Sequence, residues 1–185
     1  MPTVTVTPEE WQYVFFDGAR IAAVGEKLLG EIGLDADVRI EVDESTPLGR
    51  VKVASIDPVV LEIEGGAFED SRRPRHLSEQ ATADTLGKWL LRVRDRRDPA
   101  FGTPPADDEL TLAQSTAWDA YCIGRLARLG YTVQRQRRLY HFRNRHGFSD
   151  IADQVFERLW NASDLTWADI EAACAETEPT RTPVG

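Results

Sequence analysis

The stretch VRIEVDESTPLGRVKVASIDPVVLEIE, residues 38–64, decides how this chain is read. Val38, Ile40 and Val42 alternate with Arg39, Glu41 and Asp43; Val51 and Val53 alternate with Arg50 and Lys52; Val59, Leu61 and Ile63 alternate with Val60, Glu62 and Glu64. A period of two, with β-branched residues on one side, marks strands that bury one face, so three strands are expected. The gaps at residues 45–48 and 56–58 have hairpin length. Matching the apolar faces then sets Val42 opposite Val51 and Val53 opposite Leu61. On the other face this register places Lys52 between Glu41 and Glu62 and Arg50 between Asp43 and Glu64, pairing opposite charges across strands.

A sheet with one apolar face needs a cover. Thr7-Pro8-Glu9-Glu10 carries the marks of a helix start: a capping threonine, a proline at the first helical position and a glutamate closing a capping box. Apolar residues from Trp11 through Ile21, Leu28 and Ile32 follow at helical spacing, and Gly33 can end the helix in a left-handed cap. Gly18, Ala22 and Gly25 lie on that stripe. Each glycine costs about 1 kcal/mol relative to alanine, so these positions read as places where another backbone or a ligand comes close.

Downstream of Gly65-Gly66, residues 67–76 read as a loop and the remainder as helices. Ser78 can cap a helix that turns Leu86, Trp89, Leu90 and Val93 inward and stops at Asp98-Pro99. Residues 99–105 form a linker, and Asp107-Asp108-Glu109 opens a helix with Trp118, Cys122 and Leu126 on one face. Residues 131–147 mix two periods and are expected as a short strand followed by a helix or an irregular turn. Ser149 or Asp150 caps a helix with Ile151, Val155, Phe156 and Leu159 inward, and Thr166 to Asp169 forms a capping box stapled by Leu165 and Ile170. The expected fold class is α+β: an N-terminal helix covering a three-stranded antiparallel β-meander, followed by a C-terminal helical bundle of four or more helices. Residues 1–70 would form the helix and meander, residues 71–176 a helical subdomain sharing or adjoining that core, and residues 177–185 a disordered tail.

Composition narrows the function classes. The chain has 185 residues and a net charge of −9, and no apolar run approaches the ~18 residues of a membrane span. Residues 1–7 hold neither a basic cluster nor an apolar stretch of the kind a signal peptide needs, so a cytoplasmic location without membrane contact is expected. Cys122 and Cys174 are too few for a disulfide framework, which fits a reducing compartment, and each reads as an inert thiol. Charge runs −10 over residues 1–70, +4 over 71–100, −4 over 101–124, +7 over 125–146 and −6 over 147–185. Such blocks either meet inside the fold or keep one face for an anionic partner.

The densest chemistry lies in residues 125–146, with seven arginines and no acid. Arg125, Arg128, Arg135, Arg137, Arg138, Tyr140, His141, Arg143 and Arg145 are the candidate binding residues. Cations beside aromatic rings bind phosphate backbones and stack bases, which makes nucleic acid one reading. The other is pairing with the acidic half or with Asp150, Asp153 and Glu157, and an acidic chain repels nucleic acid at long range. His141, His146 and Asp150 are the metal-like set, yet five residues along a helix separate side chains by about 140°, so only an irregular turn would converge the two histidines.

Weaker signals complete the search. Gly65-Gly66 matches no phosphate-binding loop. Arg72, Arg73 and Arg75 could clamp an anion near Arg94 and Arg97, or form a solvated loop. Glu41/Asp43 and Glu62/Glu64 could serve acid–base chemistry, but Lys52 and Arg50 make charge pairing the simpler reading. The five tryptophans read as core, with Trp160 or Trp167 as interface anchors if exposed. No cofactor is expected. The first function expected is a non-catalytic interaction or regulatory module with segregated acidic and basic surfaces, its partner a protein or a second copy. Nucleic-acid binding through residues 125–146, and a metal- or ligand-dependent enzyme with a pocket near His141, His146 and Asp150, are the alternatives.

Overall fold

The chain begins with a strand where a helix start was expected. Residues 3–7 are all β-branched, a run stiff at χ1 that packs well on a pleated surface. Val4–Thr7 (β1) pairs in parallel with Val38–Asp43 (β2), Val4 opposite Val38 and Thr7 opposite Glu41. The first helix, Gly18–Ile32 (α1), starts only after Asp17, whose carboxylate accepts the N–H groups of Ala19 and Arg20. It ends on Gly33, at φ 70°, as the glycine suggested. The structure, a computed structural model, describes residues 1–178 and falls into two units, Met1–Arg97 and Asp98–Gly185.

In the first unit the meander is also corrected. Val51–Ile56 (β3) and Val59–Glu64 (β4) form the expected hairpin, with Val53 opposite Leu61 and Lys52 opposite Glu62. Yet β4, not β3, lies beside β2, in parallel, so Val42 faces Ile63 rather than Val51. The sheet is mixed, in the order β1-β2-β4-β3. Its apolar content explains the order: β4 is buried at Val59, Val60, Leu61 and Ile63, whereas β3 has no fully buried residue and sits at an edge. The covering layer is α1 with Glu79–Arg97 (α2), which pack on each other, α1 against β1 and α2 against β3. Ser78 accepts the Ala81 N–H at the start of α2. Gly25 is a close approach, since a Cβ there would lie 3.0 Å from a Val4 methyl.

A 3-10 turn at Gly65–Phe68 leads into a small hairpin, Glu69–Asp70 (β5) with Arg73–Leu77 (β6), in the region read as a loop. Gly66 is required there, because a Cβ would come within 1.9 Å of the Pro47 carbonyl oxygen.

The second unit is helical: Leu112–Arg128 (α3), Arg135–His146 (α4), Asp150–Asn161 (α5) and Trp167–Thr177 (α6). Helix α3 begins at a capping box of Thr111 and Gln114, later than the acidic run suggested, because Thr111 supplies the side-chain cap. It touches each of the other three helices. Gly124 permits its contact with α5, where a Cβ would meet the Trp160 carbonyl oxygen at 2.0 Å. Phe101, Trp118 and Trp167 pack together, with ring centroids 5.4–6.5 Å apart, and Trp160 and Trp167 are buried rather than exposed anchors. The Thr166/Asp169 box caps α6 as read. Thr177, assigned to the tail, is a buried residue of α6; the rest of that expected tail beyond Glu178 lies outside the described residues. Among the described residues, no helix is long and apolar enough to cross a membrane.

Candidate functional site

Residues 135–146 form one helix, α4, which takes the helix of the two alternatives expected after the strand, while residues 131–134 form no strand. Leu139, Phe142 and His146 recur at helical spacing and are buried, while Tyr131 and Val133 lie before the helix and pair with no strand among the described residues. The helix holds five arginines and no acid, and its twist sorts them into two sets.

The inward set is engaged. Arg143 makes a bidentate pair with Asp153, Nε to Oδ1 at 2.8 Å and Nη2 to Oδ2 at 2.7 Å. Hydrogen bonds from Arg143 hold the Asp153 carboxyl below its usual range and raise the guanidinium in return. Arg135 pairs with Glu157, its guanidinium 5.4 Å from the Phe156 ring centroid and 5.7 Å from that of Trp160. In α3, Arg125 is buried with its guanidinium 3.7 Å from the Tyr121 ring centroid. Arg128 donates to the carbonyls of Trp160 and Ala162, satisfying groups left open at the end of α5. Four of the seven arginines thus hold the fold together.

The outward set differs. Arg137, His141 and Arg145 are exposed and Arg138 is half-buried. Among the described residues, no hydrogen bond or ion pair engages the guanidinium groups of Arg137 and Arg138. Tyr140 is 56% exposed and meets Phe148, 66% exposed, edge to face at 6.2 Å. Ile151, expected inward, is 46% exposed on the first turn of α5. The α4–α5 corner therefore presents an exposed aromatic pair, with Arg137 one helical turn before Tyr140 on α4. Phe148 and Ile151 were absent from the sequence candidates, although an aromatic residue between Gly147 and Ser149, in a turn of otherwise small residues, was the available signal.

The metal-like set is not brought together. His146 is buried, stacked 3.9 Å from the Phe142 centroid; its Nε2–H donates to the Ala113 carbonyl at 2.8 Å and its Nδ1 is bonded to the Thr177 hydroxyl at 2.7 Å. With both nitrogens occupied it offers no lone pair to an ion. His141 and Asp150 are exposed, and no cluster of three or more metal-ligating side chains occurs among the described residues. Cys122 is buried and half-buried Cys174 lies on α6.

Arg72, Arg73 and Arg75 are exposed on the β5–β6 hairpin. Arg75, the one described non-glycine residue with positive φ (66°), lies over exposed Phe15, which stacks on His76 at 4.9 Å. Arg97 is turned instead to the Ile56 carbonyl, 2.6 Å away, so it completes no clamp with them. On the sheet, Glu41 sits beside Glu62 and Asp43 beside Glu64. Arg39 meets Glu41 at 3.0 Å, Lys52 meets Glu62 at 3.9 Å, and Asp43 is held below its usual pKa by bonds from Ser45. Comparison with family models, with curated proteins and with solved structures finds no match to this chain.

Proposed function

We propose that this chain is a protein-interaction module that takes an acidic, amphipathic segment of a partner protein on the outer face of α4 and the α4–α5 corner. One observation carries the reading: exposed Tyr140 and Phe148 meet edge to face, with Arg137 one helical turn before Tyr140 on α4 and exposed Ile151 three residues after Phe148. Aromatic residues at the centre with arginine at the rim are the make-up of protein interfaces. Phosphate backbones want cations and stacking rings but gain little from an isoleucine. Net charge favours the same partner. A duplex carries one charge about every 1.7 Å and is repelled by a chain of net charge −9, whereas a segment with a few carboxylates feels chiefly the local arginines, within the ~8 Å screening length.

The test is fluorescence anisotropy with two probes, a synthetic helical peptide bearing one leucine face and one glutamate face, and labelled oligothymidine. The peptide is expected to bind the full chain, and R137E/R138E and Phe148→Ser are each expected to weaken it about tenfold or more, with helix content unchanged. Binding of oligothymidine alone, steeply salt-dependent and lost in R137E/R138E, would establish the nucleic-acid alternative instead. Binding of neither probe would also overturn the proposal.

A further inference from the structure

Strand β1 lies at one edge of the sheet, and its open side borders a groove of about 750 Å³ lined by Val4, Val6, Trp11, Phe16 and the start of α1. The register defines what that edge offers. The Val38 N–H donates to the Thr3 carbonyl, so Thr3, Thr5 and Thr7 turn their main-chain groups toward β2, and Val4 and Val6 turn theirs away from it. The Val4 N–H is answered by the Glu26 carboxylate at 3.2 Å. Among the described residues, nothing answers the Val6 N–H or the Val4 and Val6 carbonyls. An unpaired edge of this kind is a template for another strand unless it is covered or charged, and here the covering carboxylate reaches only its first residue.

We infer that β1 accepts an extended, lysine-containing peptide as an added strand in this groove, a second site independent of the α4 surface. Main-chain groups of Val4 and Val6 alternate donor and acceptor at strand spacing, which only an extended backbone matches. Trp11, half-buried and edge to face with Phe16 at 5.5 Å, supplies an apolar wall for one side chain of such a strand. Charge selects the peptide further: Glu9 and Asp17 are the charged groups in the groove lining and Glu26 stands at its end, so a basic side chain is attracted and an acidic one repelled.

The experiment uses the full chain with a synthetic peptide of alternating lysine and valine, its main-chain N-methylated counterpart and an alternating glutamate–valine peptide. Amide hydrogen exchange at Val6 and isothermal titration are the readouts. The Val6 amide is expected to exchange freely in the unliganded protein and to become protected when the lysine peptide saturates. N-methylation is expected to weaken binding about tenfold or more by removing main-chain donors, and the glutamate peptide is expected not to bind. Glu9→Lys, away from any cap, should weaken the lysine peptide while the protein stays folded. Equal binding of the N-methylated peptide, or no change at Val6 under saturation, would overturn the inference. So would a Val6 amide already protected in a sedimenting dimer, which would assign the edge to a second copy.

Discussion

The outer face of the sheet and the outer face of α4 hold charge in opposite ways. On the sheet, each cation finds a carboxylate on its own strand or across its own hairpin: Arg39 meets Glu41 at 3.0 Å and Lys52 meets Glu62 at 3.9 Å. On α4, like charges follow one another, and the twist of the helix divides them. Arg135 and Arg143 find Glu157 and Asp153 on α5, while the guanidinium groups of Arg137 and Arg138 stay outside those pairs. A hairpin pairs charges with its own neighbour. A basic helix depends on what packs against it, and the charges of Arg137 and Arg138 remain for an outside molecule. Charge counted along a sequence therefore overstates the available cations, and helical phase states them better.

The comparison breaks most visibly if α4 loses its packing. Phe142 is buried between His146 and Phe156, and Phe142→Ala is expected to cost about 3–5 kcal/mol. Urea unfolding of the full chain, followed by tryptophan fluorescence, reads this. A loss below about 1 kcal/mol would mean that ion pairs rather than packing hold the helix.

The inward arginines sharpen the contrast through pH. Asp153 has its carboxyl lowered from an ordinary 3.8 by Arg143. A depressed folded-state pKa contributes stability that is present above the unfolded value and is lost as pH falls through the folded one. Thermal unfolding from pH 6 down is expected to show a decline below pH 3.8 that is smaller in Asp153→Asn than in the parent chain. An identical slope in the two proteins would remove the Arg143 pair from the account.

The smallest effects belong to the two outer faces. Lys52→Ala is expected to lose no more than about 1 kcal/mol, since the pair is exposed. Arg137→Ala is expected to change stability by no more than about 0.5 kcal/mol, and in the favourable direction, because alanine favours the helix and one of several like charges is removed. A clear destabilisation by Arg137→Ala in urea unfolding would show that the guanidinium holds the fold and belongs with the inward set.

Much of the local structure was legible in the residues. The alternation at 51–63 located β3 and β4 and their register at Lys52/Glu62, and Ser78, Ser149 and Thr166/Asp169 marked helix starts that the structure retains. The N-terminus misled because Thr7-Pro8-Glu9-Glu10 satisfies the chemistry of a cap, while the β-branched run before it satisfies that of a strand; pairing with β2 decided between them. Candidate cations were legible by type at residues 125–146, but not by use.

The division has a physical cause. Caps, hairpin registers and amphipathic faces arise from residues within a few positions of one another, so the sequence by itself determined them. The place of β4 between β2 and β3, the closeness of Gly124 to the Trp160 carbonyl and the engagement of Arg143 but not Arg137 depend on elements distant in sequence. Only the tertiary structure decided those, because each is settled by which surfaces bury one another rather than by the preference of any segment.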